Sequence, residues 1–267
     1  MNRVVGDHDL LLVTLDTLRY DVAAELAAAG RTPALVRALP GGAWERRHTP
    51  ASFTYAAHHA FFAGFLPTPV TPGPHPRLFA ARFPGSETTA LGTWVFDGPD
   101  VVTALAARGY HTVCVGGVGF FNRRSALGAV LPGLFAESHW RPEFGVTNPD
   151  SLRAQLDRVA DVVAAAPSER PLLLFLNVSA LHQPNRHYLP GATEDSRESH
   201  AAALEYVDGH AERLFRLATA RGRPCFAIVC SDHGTAYGED GHVGHRVAQE
   251  AVWTVPYAEF TLRPGEW

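Results

Sequence analysis

The chain has 267 residues, enough for one large domain or two small ones. Hydrophobic residues make up 46% and charged residues 19%, the balance of a globular chain that buries a substantial core. A net charge of −4 with histidines neutral gives no footing to a nucleic-acid partner, and Cys114, Cys225 and Cys230 form neither a disulfide framework nor a CxxC metal site.

The N-terminal stretch MNRVVGDHDLLLVTLD sets acids inside what would be the apolar core of a signal peptide. No run approaches the length of a membrane span. These features predict a soluble, cytoplasmic protein with no membrane partner. All 23 Lys+Arg residues are Arg, which with the abundant Ala, Gly and Pro reads as coding bias.

Residues 10–15 (LLLVTL) are a continuous apolar run, the mark of a strand covered on both faces. The run ends at Asp16-Thr17, so an acid stands at the carboxyl end of the first strand. Read alone, that acid turns or caps the chain. Asp21 can cap a short Ala-rich helix over 22–29, which Gly30 ends. A short strand is expected over 43–48.

Thr54 opens an apolar helical segment, 55–63, closed by Gly64 and Pro67. A hydroxyl at a helix N-terminus sits where free N–H groups stabilise an anion, a good place for an alkoxide nucleophile. Thr is also a favoured N-cap, and these residues by themselves favour the cap. His58, one turn on, shares the Thr54 face of the helix. The Pro- and Gly-rich residues 67–84 read as a surface excursion or lid.

A helix follows over 97–107, then a strand over 111–115 and the weak Gly-rich stretch Gly116-Gly117-Val118-Gly119. Residues 120–149 look irregular. Helical spacing returns over 150–166 (Leu152, Leu156, Val159, Val163). Residues 172–178 (LLLFLNV) form another buried strand, and His182 lies just past its end. A long amphipathic helix spans 200–220, with Asp208 and His210 expected in solvent.

Residues 226–230 form a third buried strand that stops at Ser231-Asp232-His233-Gly234. A last strand is expected over 255–262. Asp232 and His233 offer a hard oxygen and an imidazole at one point, a pairing suited to a divalent metal. A polar loop explains the pair equally well when it is read alone. The alternation predicts one α/β domain over 1–267, with a mostly parallel sheet and helices on both faces. If the strands run parallel, Asp16, His182 and Asp232-His233 arrive at one edge, where such sheets bind ligands.

In this order the segments resemble the alkaline phosphatase/sulfatase superfamily over nearly the whole chain. LLLVTLDTLRYD is similar to its first strand and metal Asp. TYAAHHAFFAGFLP is similar to its nucleophile helix, ALAARGYHTVCVGG to its helix–Gly-Tyr–strand unit, and FLNVSALHQP to the strand with a substrate-side His. SDHGTAYGEDGHVGHRVAQEAVWTVPY is similar to the second metal strand and is the most specific block.

The resemblance implies an alkaline phosphatase-like three-layer sandwich. It implies a divalent ion (zinc, manganese, magnesium or calcium; one or two ions) held by Asp16, Asp232 and His233, with Thr54 and His245 as further ligands. Thr54 would be the nucleophile. His182 and His245 would serve the substrate's oxyanion or leaving group, and His58 would be a further catalytic residue, standing where several phosphodiesterase-like members keep a His and sulfatases an Arg. Sulfatases carry a formylglycine-forming Cys where Thr54 stands, a Lys where Gly117 stands and a second metal Asp where Thr17 stands. The implied activity is therefore hydrolysis of a small-molecule phosphoester. The alternatives are phosphoryl transfer, sulfuric ester hydrolysis, or a weakly catalytic metal-site binding protein. His182, His187, His242 and His245 are the candidates for a second ion. Oligomeric state is unassigned.

Overall fold

The computed structural model describes residues 3–64, 79–80, 94–95 and 100–267. The lid expected over 67–84 and the first residues of the helix expected over 97–107 lie outside the described side chains. The main elements in chain order are β1 Asp9–Leu15, α1 Tyr20–Ala28, β2 Glu45–His48, α2 Thr54–Ala63, α3 Val101–Ala107, β3 His111–Val115, β4 Glu137–His139, α4 Ser151–Ala165, β5 Leu172–Val178, α5 Arg197–Thr219, β6 Cys225–Cys230 and β7 Thr254–Leu262.

These strands form one seven-stranded sheet in the order β2-β7-β6-β1-β5-β3-β4. The β6-β1-β5-β3-β4 run is parallel throughout, and β7 pairs antiparallel with β6 and β2. The three central strands are β6, β1 and β5, the longest apolar runs in the sequence. Their side chains alternate between two cores. Leu11, Val13 and Leu15 of β1 and Leu172, Leu174, Leu176 and Val178 of β5 pack with α1, α4 and α5. Leu10, Leu173 and Phe175 point to the opposite face, against Phe62 of α2 and Val102 and Leu105 of α3. The mostly parallel α/β sandwich is thus the observed architecture.

Several local readings change. Asp21 does not cap α1: the helix begins at Tyr20, and the Asp21 carboxylate instead receives Arg19. The stretch 120–149 contains β4 and a short helix, Ala126–Val130, capped by Ser125. Asp208 is buried rather than solvated. Its carboxylate accepts from the N–H groups of Leu35 (2.8 Å) and Ala34 (3.3 Å), the first turn of a helix, Pro33–Ala38, whose own N-cap Thr32 makes no side-chain cap. A partner helix therefore satisfies donors that local sequence leaves open.

Candidate metal centre and active site

Two of the central strands, β1 and β6, end side by side, and each delivers an acid at its tip. Asp16 continues the ladder by donating its N–H to Val178 O at 3.1 Å. Asp232 and His233 follow β6 directly. Gly234 comes next because a Cβ there would stand 1.9 Å from Ala251 O, and its N–H donates to Val252 O at 2.7 Å. That close approach fixes the strand tip against the short helix Glu250–Trp253 that precedes β7.

Thr54 enters from α2. The helix has Phe53 as N-cap with no side-chain cap bond, so the Thr54 hydroxyl is not spent on capping. It lies 3.2 Å from His233 Nε2 and 3.5 Å from Asp16 Oδ2. One ligand atom from each of Asp16, Asp232 and His233 falls within 4.8 Å of the others, and all three side chains are fully buried.

Each carboxylate has one oxygen tied and one open. Asp232 Oδ1 accepts from the N–H groups of Thr17 (3.2 Å) and His233 (3.0 Å). Asp16 Oδ2 accepts from Asn177 Nδ2 at 3.1 Å. Asp16 Oδ1 and Asp232 Oδ2 have no hydrogen-bond partner and sit 4.0 and 3.6 Å from His233 Nε2. His233 Nδ1 donates to Gly234 O at 2.8 Å, which leaves Nε2 as a lone pair facing the same space.

Unpartnered buried oxygens are expensive. Burial and the neighbouring Asp232 push Asp16 up to about 6, and burial pushes Asp232 up to about 7. Burial also lowers the His233 imidazole. Two acids, one imidazole lone pair and a hydroxyl aimed at one point fit a divalent cation, which would remove the cost.

The remaining expected site residues divide. His182 and His245 are partly exposed, with rings 5.4 Å apart, and the His245 ring stands 4.7 Å from His233. They border the cluster on its accessible side. Burial, with His233, His182 and Arg246 nearby, lowers His245 to about 3. His245, expected as a further ligand, stands next to the three-residue cluster of Asp16, Asp232 and His233 rather than within it, its ring centroid 4.7 Å from that of His233.

His58, expected among the catalytic residues, lies on the core side of the cluster, with Nδ1 3.8 Å from Asp232 Oδ2. It is fully buried among Phe61, Phe62, Phe121 and Phe175, at ring separations of 5.3–6.0 Å. Its Nδ1 donates to Thr54 O at 2.7 Å, and its Nε2 accepts from Thr14 Oγ1 at 3.0 Å. Burial holds it neutral, with a pKa lowered to about 3. It underpins the start of α2 from the core side. His187 and His242 are exposed, and no second cluster of three ligands occurs among the described residues.

Thr17 adopts φ 66°, and its hydroxyl donates to Leu181 O at 3.1 Å, away from the cluster. At Gly117 a Cβ would stand 2.5 Å from Asn177 O, so a side chain has no room there. Sequence reading missed Asn177 itself, which joins Asp16 to Thr14 Oγ1 (3.2 Å) and to the backbone N–H groups of Gly117 and Val118. The available signal was a lone amide in the apolar run LLLFLNV. Arg19 was missed as well. Its buried guanidinium binds Asp21, Glu239 and Thr235 O, tying the loops after β1 and β6 together.

Known proteins of this architecture place the geometry in context. The structure is similar to the C-terminal periplasmic domain of phosphoethanolamine transferase EptC from Campylobacter jejuni, with TM-score 0.62 and 12% identity over 97% of this chain and 81% of that one. It is similar to the C-terminal periplasmic domain of EptC from Escherichia coli in complex with zinc, with TM-score 0.64 and 13% identity over 98% of this chain and 74% of that one. It is also similar to the lipoteichoic acid synthase LtaP from Listeria monocytogenes, with TM-score 0.62 and 12% identity over 97% of this chain and 66% of that one. No curated protein matches by sequence.

The periplasmic neighbours overturn the expectation of a cytoplasmic protein. That expectation rested on hydropathy, which does not report the compartment in which a domain works. Among the described residues no helix is long and apolar enough to cross a membrane. A family model described as Sulfatase matches residues 9–258, and with the acid-tipped parallel strands and the hydroxyl-led helix converging on one centre, the chain belongs to the sulfatase family of the alkaline phosphatase/sulfatase superfamily.

Proposed function

We propose that this protein cleaves a phosphoester by covalent capture of the phosphoryl group on Thr54. The observation that carries the reading is the Thr54 hydroxyl, freed from capping and set 3.2 Å from His233 Nε2 and 3.5 Å from Asp16 Oδ2. Asp16, Asp232, His233 and Thr54 would hold one divalent ion. This mixed set of few donors suits zinc better than calcium, which takes six to eight oxygens. When bound, the ion lowers the pKa of the Thr54 hydroxyl and offsets charge building on the phosphoryl oxygens.

The chain's own groups handle the rest. With its hydroxyl proton released to solvent, Thr54 Oγ1 bonds to phosphorus as the bond from phosphorus to the leaving oxygen breaks. His182 Nδ1 donates to Gln183 O at 2.6 Å, which leaves Nε2 to deliver a proton to that leaving oxygen. In the return step His182, now neutral, takes the proton of the incoming hydroxyl as its oxygen bonds to phosphorus and Thr54 departs as the alkoxide, which restores the starting state. Water as acceptor makes the protein a hydrolase. An alcohol makes it a transferase, a second reading favoured by the names of the EptC and LtaP neighbours. A phosphoester is preferred to a sulfate ester because Thr replaces the formylglycine-forming Cys and Gly117 leaves no room for a Lys.

The test is turnover of aryl phosphate mono- and diesters with zinc, with and without a glycerol acceptor, by the wild type and Thr54→Ala. The expected result is loss of turnover in the variant and a phosphoryl adduct on Thr54 in the wild type by intact mass. Wild-type turnover by Thr54→Ala overturns the nucleophile. Zinc binding with no ester turned over points to a binding protein.

A further inference from the structure

Arg246 is the conspicuous residue that the proposed chemistry leaves unused. It follows His245 directly and is exposed. Its backbone adopts φ 70°, a conformation that L residues other than glycine rarely take. Its N–H donates to Ser52 O at 2.9 Å, which fastens the residue to the segment leading into α2. Its guanidinium lies over the Phe53 ring, 5.4 Å from the centroid, and Phe53 immediately precedes Thr54. A cation so placed is steadied by the ring's negative face without being neutralised.

The charges around the centre single it out. Arg19 is consumed by Asp21 and Glu239. Arg246 has no carboxylate partner among the described residues. It stands beside His245, whose ring faces both His233 and His182. The left-handed backbone, the Ser52 tie and the Phe53 ring all act to hold one unpaired guanidinium at the accessible side of the Thr54 centre. A guanidinium in that setting matches phosphate oxygens in a fork that an ammonium cannot reproduce.

We propose that Arg246 is a specificity-determining residue that binds a non-bridging oxygen of the substrate's phosphoryl group beside Thr54. The proposal rests on the phosphoester reading, and its test separates the two. Zinc-loaded wild type, Arg246→Gly and Arg246→Lys are compared for binding of inorganic phosphate by calorimetry. Glycine suits the left-handed backbone, so folding is spared, and melting temperature and zinc content check this. The expected result is phosphate binding weakened about tenfold or more in Arg246→Gly, the scale of one lost charge-assisted hydrogen bond, with partial recovery in Arg246→Lys. Wild-type binding should weaken with added salt, and Arg246→Gly should show a flatter dependence.

Equal phosphate affinity in wild type and Arg246→Gly overturns the proposal, as does a wild type that binds no phosphate. If Arg246→Gly loses phosphate affinity while the wild type turns over no phosphoester, the recognition role stands and the catalytic reading falls. If esters are turned over and Arg246→Gly is unchanged in phosphate affinity and KM, the reverse holds.

Discussion

Asn177 Nδ2 donates to Asp16 Oδ2 at 3.1 Å from a strand interior that is otherwise wholly apolar. The same amide's Oδ1 accepts from Gly117 N (3.2 Å) and Val118 N (3.0 Å), so its orientation is fixed from the opposite side. Asp16 is thereby turned so that Oδ1 faces Asp232 and His233. An outer partner of this kind sets the affinity of an inner ligand. Asn177→Ala should therefore bind zinc about 10–100-fold more weakly, the usual cost of losing such a partner. A competition titration against a chromophoric chelator reads it. Unchanged zinc affinity in a folded variant would show that Asp16 needs no orienting amide.

Gly117 occupies the position where the family resemblance sets a lysine in sulfatases, and restoring that residue should fail. The first atom of any side chain would meet Asn177 O at 2.5 Å and Ser179 Cβ at 2.8 Å. Backbone oxygen cannot step aside as a flexible side chain does. Gly117→Lys should cost about 1–3 kcal/mol of stability as an overpacked site, and zinc affinity should fall with it as Asn177 is displaced. Thermal melts and turnover of an aryl sulfate check this. A stable Gly117→Lys protein that gains sulfatase activity would mean that the β3 turn can open.

The parts of the site legible in the sequence share one property: their chemistry sits where an apolar run stops. Asp16 and Asp232-His233 announce themselves as acids at the ends of LLLVTL and FAIVC, and the parallel pairing of β1 with β6 makes them neighbours. Thr54 was ambiguous because a helix start favours Thr for capping as well as for chemistry. Only the positions of Asp16 and His233 show where its hydroxyl goes. Asn177, Thr14 and Arg19 were hidden because each owes its role to a contact across the sheet or between loops, which periodicity does not report. Asp208 was misread for the same reason: its helical spacing points it off the apolar stripe of α5, but toward the Pro33–Ala38 helix. His58 was misplaced because an i, i+4 relation to Thr54 gives a shared face, not whether that face meets solvent or core.

His200 lends the fold a sensitivity to acid. It is fully buried at the start of α5, with Nε2 accepting the Arg19 N–H at 3.4 Å and Nδ1 3.1 Å from Tyr237 Oη. Burial, and then the Arg19 cation, lower it from 6.5 to about 3. The unfolded chain binds a proton there below about pH 6.5 while the folded chain does not. His200 thus contributes stability that is present above the unfolded pKa and is lost as pH falls from 6.5 toward 3, at up to about 1.4 kcal/mol per pH unit. With excess zinc in both samples, the melting temperature of His200→Gln should fall less steeply than that of the wild type between pH 6.5 and 5. Parallel curves would mean that His200 is protonated in the native state.

Asp208 should behave as a cap supplied from a distance. Its two oxygens serve Leu35 N and Ala34 N, and the Pro33–Ala38 helix has no other side-chain cap at that end. Asp208→Ala leaves those N–H groups without their acceptor and should cost about 0.5–2 kcal/mol, the range for cap removal. In a chain of this size that lowers the melting temperature by roughly 1–8 °C. Asp208→Asn keeps one carbonyl oxygen for the shorter bond to Leu35 and should lose less. Zinc affinity should be the same in all three proteins, because the contact holds α5 to the Pro33–Ala38 helix and includes none of the metal-centre residues. A melting temperature for Asp208→Ala equal to that of the wild type would show that solvent satisfies the helix start without it.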